Sequence, residues 1–516
     1  MSKIISSTQA AALIKDEQTI AVSGFVGFGS PEEVLLEIEN RFIETGSPRN
    51  LTVMNCAGCG DKKDRGMNHF GHEGLTRKLY CGHVGLAPKL GKIVAENKAE
   101  CYMVPQGVTV QMMRAIAGKK PGVITNVGLK TFADPRVEGC RANSISKEEV
   151  VELMVIDGKE YLRYKPFTID VALIRGTTAD EKGNITCEKE AVFIEQIMMA
   201  QAAKNSGGIV IAQVERVAQY GTMSPMQVKI PGIYVDYVVV AKPENHMQSF
   251  SGEYNSSWSG EVRIPTDSLA KIKLDERKVC ARRAAMELVP GAVVNLGIGV
   301  AEGVANIAAE EELSEQLTLT VESGVIGGIP AGGLGIGAST NPEAIIDQLY
   351  QFDFYDGGGL DVCYLGLAEA DKFGNLNVSK FGGKVVGPGG FVNISQNSKK
   401  VVYCGTFTAG GLKVEVGSGK VKILQEGKNK KFREHVEQIT FSGQYAVETG
   451  QEVLYVTERA VFKLTQNGLT LIEIAPGIDL EKDVIAQMEF RPIIAEDLKI
   501  MDERIFHDEP MNLQIG

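Results

Sequence analysis

The chain repeats itself. Ile169-Asp170-Val171, Ala179-Asp180 and Gly183-Asn184-Ile185 recur as Leu360-Asp361-Val362, Ala370-Asp371 and Gly374-Asn375-Leu376 at a constant offset of 191 (Asp170 to Asp361). A shorter correspondence pairs Gly27, Gly29, Glu32 and Val34 with Gly297, Gly299, Glu302 and Val304 at an offset of 270 (Gly27 to Gly297). Self-similarity at fixed spacing marks a duplicated unit. The first copy then carries roughly 79 extra residues between its two matching blocks, the difference of the offsets.

Each copy opens with the same local grammar. Thr19–Val22 is a short apolar run, Gly24, Gly27 and Gly29 follow, and Ser30-Pro31-Glu32-Glu33 leads into an amphipathic stretch with Val34, Ile38 and Phe42 on one face. This reads as strand, glycine loop, helix. Ser30 is the expected cap, Pro31 the first helical residue, Glu33 the partner in a capping box and Gly46 the stop. Ala292–Asn295, Gly297, Gly299 and Gly303 repeat it, with a helical pattern through Ala309. Turn residues, Pro265 and the single Trp258 dominate 242–274, the expected linker between halves 1–241 and 275–516. Glycine-punctuated strands alternating with helices predict two duplicated open α/β domains with mainly parallel sheets. Ligands in such sheets lie beyond the carboxyl ends of the strands.

Composition narrows the partners. A formal charge of -11 without an arginine-rich tract argues against nucleic acid. No run is long enough to span a bilayer, and the start, with Asp16 and Glu17, does not read as a secretory leader. Nine scattered cysteines suit a reducing compartment, so the cytoplasm is the expected location. Cys56-Ala57-Gly58-Cys59, with His69, His72, Cys81 and His83, raises a zinc site. The second cysteine pair of a structural site is missing, however, and no metal is expected. Laying Leu51-Thr52 on Leu317-Thr318 places Cys56 opposite Glu322.

Glu322 is the acid of most interest. Leu317–Val321 alternates like a strand and runs into Glu322-Ser323-Gly324-Val325-Ile326-Gly327-Gly328, so a carboxylate sits at a strand's carboxyl end among glycines. Such a carboxylate can be a nucleophile beside backbone N–H donors. It can equally close a strand. It also falls where a dinucleotide fold places its ribose-binding acid after Gly297 and Gly299, which would make the chain an NAD(P)-dependent oxidoreductase. Gly297-Ile298-Gly299-Val300-Ala301-Glu302-Gly303 is one residue longer than the dinucleotide fingerprint.

Longer blocks carry a resemblance that covers essentially the whole chain. Thr320-Val321-Glu322-Ser323-Gly324, the run from Gln351 to Gly359, Asn377–Gly382, Gly387–Ser395 and Cys404–Lys413 resemble the family I (class I) CoA-transferases, in particular the fused single-chain propionate/acetate CoA-transferase branch. Glu-Ser-Gly stands here where two-subunit relatives usually show Glu-Asn-Gly. The resemblance implies an active site at the domain interface and CoA transfer between short-chain acids (acetate, propionate, butyrate, lactate or acetoacetate) through a glutamyl-CoA thioester on Glu322. It implies that Gln106 meets the carboxylate substrate from the first half. Gly297, Ile298, Gly299, Val300 and Ala301 would contact CoA, Gly387, Gly389 and Gly390 would supply backbone donors, and Lys413, with Lys384, would meet phosphate. CoA and acyl-CoA are then substrates, with no permanently bound cofactor, and a homo-oligomer such as a tetramer is expected. A non-catalytic acyl-CoA-binding protein is the remaining alternative.

Overall fold

In the computed structural model, residues 3–265 and 272–515 are described. Part of the expected linker, 266–271, lies outside the described residues. Two compact units emerge. The first comprises Met1–Ile264, Val321–Asp353 and Phe381–Asn393; the second comprises Pro265–Thr320, Phe354–Lys380 and Ile394–Gly516.

The first unit is built on eight parallel strands in the order Ile4–Ile5, Tyr237–Val240, Ile209–Val214, Val171–Arg175, Thr19–Val22, Leu51–Asn55, Thr76–Cys81, Glu100–Met103. Their inner residues are near-continuously apolar and buried, as a sheet covered on both faces requires. The expected strand at Thr19–Val22 is present, and the helix after it runs Glu32–Thr45, stopped by Gly46 at φ 71°. The capping box is not. Pro31 is the cap residue and no side chain of the segment caps the helix. Gln213, from a strand end far along the chain, accepts from Glu33 N–H at 2.9 Å. A distant amide oxygen thus takes the orphan donor that Ser30 was expected to satisfy. Trp258, within the expected linker, packs edge-on against Phe28 with ring centroids 5.9 Å apart.

The second unit's strands run Thr318–Val321, Val293–Leu296, Val362–Gly366, Lys400–Cys404 and Glu452–Val456 in parallel, extended by Ala460–Thr465, Gly468–Ile474 and Ile493–Ile500. The five parallel strands repeat the order Leu51, Thr19, Val171, Ile209, Tyr237 of the first unit. The repeat extends to single hydrogen bonds. Asp180 Oδ1 accepts from Lys182 and Asn184 N–H, and Asp371 Oδ1 from Phe373 and Asn375 N–H. Asp170 Oδ2 accepts from Thr19 N–H at 2.7 Å, and Asp361 Oδ2 from Val293 N–H at 2.8 Å.

Register corrects one expectation. Ile20 pairs with Val171 and Val294 with Val362, so with Val171 and Val362 at offset 191 the first block repeats at 274 (Ile20 to Val294), not 270. The glycine loops had attracted each other in the sequence, although the loop after Val22 is longer than the one after Leu296. The pairing of Cys56 with Glu322 does agree with register, because Thr52 pairs with Thr19 and Thr318 with Val293. Residues without a counterpart in the second copy include the strands Thr76–Cys81 and Glu100–Met103.

Candidate active site

Glu322 directly follows the Thr318–Val321 strand, at its carboxyl end, and is half-buried. Gly324 N–H donates to Val321 carbonyl at 3.1 Å, which makes Val321–Gly324 a tight turn with Glu322 at its first corner. The turn is pinned on three sides. Val321 and Val325 are buried with Phe25, Phe28, Ala57 and Ile194. Ser323 Oγ donates to Gly337 carbonyl, and Gly324 carbonyl accepts from Ile346 N–H at 2.9 Å. Gly324 has φ 103°, and a Cβ there would lie 2.1 Å from Ile346 carbonyl oxygen. Glycine is required on both counts.

Gln106 is the first residue of the Gln106–Ala117 helix and is 2 % exposed. Its N–H donates to Gly389 carbonyl at 3.0 Å, while Gly389 N–H donates to Gly82 carbonyl at 2.8 Å. Gly107 N–H donates to Asn393 Oδ1 at 3.0 Å. The loop 387–390 is thereby stitched to the start of this helix. Gly387 and Gly389 take φ 91° and 55°. Thr109 Oγ1 donates to Cys56 carbonyl at 2.7 Å, which ties the same helix to the end of the Leu51–Asn55 strand. The sequence divided Glu322 and Gln106 between two halves; by compactness Gln106, Glu322, Gly387, Gly389 and Gly390 all belong to the first unit.

Gly297, Ile298, Gly299, Val300 and Ala301 belong to the second unit, in the turn between the Val293–Leu296 strand and the Gly303–Glu310 helix. Gly297 N–H donates to Tyr364 carbonyl at 2.7 Å, and Ile298 is 62 % exposed, so this loop offers itself to solvent. Lys413 starts an exposed hairpin strand of the same unit, and Lys384 is exposed in the first unit.

The cysteine–histidine cluster has other occupations. Cys56, Cys59 and Cys81 are buried; burial, opposed by Ser30, pushes the Cys59 thiol up to about 12. His69 lies between Glu32, 2.9 Å from Nε2, and Glu39, 2.5 Å from Nδ1. Burial and the charge of Lys62 hold His83 down at about 4. Among the described residues no three His, Cys, Asp or Glu side chains are grouped to hold a metal ion, and no helix is long and apolar enough to cross a membrane.

One acid escaped the sequence reading. Glu195 is fully buried and accepts from Gly24 N–H at 3.1 Å through Oε1. Burial pushes its carboxyl up to about 8, against the pull of that N–H. No motif flagged it, because its environment is assembled from segments far apart in the chain.

Residues 4–241 match the coenzyme A transferase family. The chain is 51% identical to caffeate CoA-transferase of Acetobacterium woodii over 515 residues, covering 99% of this chain and 98% of that one. It is 44% identical to the acetate CoA-transferase YdiF of Escherichia coli K12 over 510 residues, covering 98% and 96%. The crystal structure of the YdiF apoenzyme from Escherichia coli O157:H7 superposes with a TM-score of 0.95 at 44% identity, covering 100% of this chain and 98% of that chain. YdiF has also been solved as a thioester complex with CoA. Agreement over the full length of both halves decides against the oxidoreductase reading of the Gly297 loop. With two duplicated, mainly parallel α/β sheets and these relatives, the chain belongs to the coenzyme A transferase family and is a single-chain CoA-transferase that uses CoA thioesters as substrates.

Proposed function

We propose that this CoA-transferase exchanges CoA between short-chain acids by a ping-pong route through Glu322, with acetate, propionate, butyrate, lactate or acetoacetate as the carboxylates. Relatives named for acetate and caffeate transfer support an acid as acceptor. The observation that carries the nucleophile's assignment is the rigid turn holding Glu322 at a strand's carboxyl end. In the first half-reaction the Glu322 carboxylate attacks the thioester carbonyl and CoA leaves as thiolate, giving a mixed anhydride. The thiolate then attacks the Glu322 side-chain carbonyl, and the first acid departs as carboxylate, leaving a glutamyl-CoA thioester. A second carboxylate runs these steps in reverse, so the thioester energy is kept and no electrons are exchanged.

Each tetrahedral intermediate needs oxyanion donors. Gly389 N–H is committed to Gly82, so Gly387 and Gly390 are the residues through which the 387–390 loop serves. Gln106 orients the carboxylate through a neutral amide, which leaves it nucleophilic. The Gly297–Ala301 loop, exposed at Ile298 and Gly299, and Lys413 receive CoA on the second unit. The active enzyme is a cytoplasmic homo-oligomer.

The test is chemical. Protein incubated with acetyl-CoA, treated with borohydride and digested is expected to yield a Glu322 peptide reduced to the alcohol. An unmodified Glu322 peptide during active turnover would remove Glu322 from this role.

A further inference from the structure

Three helices whose amino-terminal turns lie in the first unit begin on a glutamine: Gln106–Ala117, Gln196–Asn205 and Gln348–Asp356. Their amino-terminal ends lie together. The first two helices pack along their length, and Asn205 Nδ2 donates to Ala117 carbonyl at 2.6 Å, joining the last residue of one to the last of the other. Phe193 and Asp347, just ahead of the second and third helices, form a parallel β-bridge. Gln111 Nε2 donates to Asp353 Oδ1 at 3.0 Å, each being the sixth residue of its helix, which sets the first and third helices in step.

All three glutamines are buried: Gln106 is 2 % exposed, Gln196 and Gln348 0 %. Nε2 of Gln106, and both amide atoms of Gln196 and Gln348, find no hydrogen-bond partner among the described residues. Buried amides are ordinarily paired, and leaving one unpaired is destabilising. Three such amides at three converging helix ends are a costly arrangement for packing alone. Gly29, at φ +65°, leaves room above one of them, since a Cβ there would lie 3.1 Å from Gln196 Nε2.

Helix amino termini carry positive partial charge and unpaired N–H groups, so together they favour an anion. Neutral amides add donors without a full positive charge. Glu195 and Asp347 immediately precede two of the helices; burial pushes the Glu195 carboxyl up to about 8, so its repulsion of an incoming anion is blunted near neutral pH, while Asp347, raised by burial to about 6, feels the charge of Lys229. This chemistry fits a single small carboxylate group, and the reading that follows rests on the function proposed above for Glu322 and Gln106.

We propose that Gln196 and Gln348 form, with Gln106, the closed inner end of the pocket that receives the acid substrate, and that they set both its affinity and its permitted length. The test uses the full-length enzyme with Gln196→Met and Gln348→Met, which keep side-chain length and remove the amide. Propionate alone is expected to raise the melting temperature of the wild type; each variant is expected to abolish that rise and to raise KM for propionate by about 3–10-fold with KM for acetyl-CoA unchanged. Gln348→Ala and Gln196→Ala, which open space, are expected to shift kcat/KM toward hexanoate relative to propionate. If a Met variant does not fold, the Asn variant, with its amide drawn back by one methylene, is read in the same way. Unchanged KM for propionate, or equal rises in KM for both substrates, overturns the proposal. If the wild type transfers no CoA, the reading of Glu322 has failed, while the propionate-dependent melting shift and its loss in the variants still decide this one.

Discussion

Gln106 N–H donates to Gly389 carbonyl at 3.0 Å, so the first residue of a helix and a glycine loop almost three hundred residues later hold each other in place. The neighbouring residue repeats the tie, with Gly107 N–H on Asn393 Oδ1.

Gly107→Ala should break this junction. A Cβ there would lie 2.3 Å from Asn393 Nδ2 and 2.7 Å from Phe352 Cδ1. Displacing the loop by an ångström is expected to lower kcat/KM by about 10²-fold. Gly118→Ala, at the other end of the same helix, meets nothing closer than 3.4 Å and should leave turnover unchanged. Steady-state kinetics of the two variants make the comparison.

Glu322→Gln removes the proposed nucleophile and should reduce CoA transfer by about 10³-fold or more with the circular dichroism spectrum preserved. Gly324→Ala should impair transfer without touching the carboxylate, since its Cβ would collide with Ile346 carbonyl. Full activity in Glu322→Gln would show that another group is attacked.

Glu195 makes stability depend on pH. Its folded carboxyl titrates at about 8 instead of 4.5, because burial penalises the charge. The penalty is absent below pH 4.5, grows as pH rises from there, and is complete above 8. Glu195→Gln should therefore melt about 2–4 °C above the wild type at pH 8.5 and at the same temperature at pH 5. Scanning fluorimetry at both pH values reads this.

His69 works with the opposite sign. Burial opposes its charge, but Glu32 and Glu39 outweigh it and raise the imidazole from 6.5 to about 9. The stabilisation is full below pH 6.5 and is lost as pH rises through 9. Glu39, where burial is outweighed by His69 and His72, is lowered to about 2; its share is full above pH 4.5 and is lost as pH falls through 2. His69→Gln should lower the melting temperature at pH 6 and narrow the gap to the wild type at pH 9.5.

Local chemistry was legible in the sequence wherever neighbours along the chain produce it. The Thr19–Val22 strand, the Gly46 stop and the recurrence of Asp180 and Asn184 as Asp371 and Asn375 all depend on residues within a few positions. The place of Glu322 at a strand's carboxyl end was visible for the same reason. The cap on the Glu32 helix was not, because Gln213 reaches it through the sheet. Equal glycine spacing suggested an offset of 270, whereas strand register gives 274, since loop length is free to vary where backbone pairing is not. Glu195, Gln196 and Gln348 became notable only once burial and partners were known.

The first unit draws on residues as far along as Asn393, although its main segment ends at Ile264. During synthesis, that unit cannot close when its sheet has emerged. It must wait for about 130 further residues, roughly 6–26 s at ribosomal rates, with part of its apolar surface uncovered. The two units cannot mature one after the other like beads on a string, because the last pieces of the first are made only after much of the second.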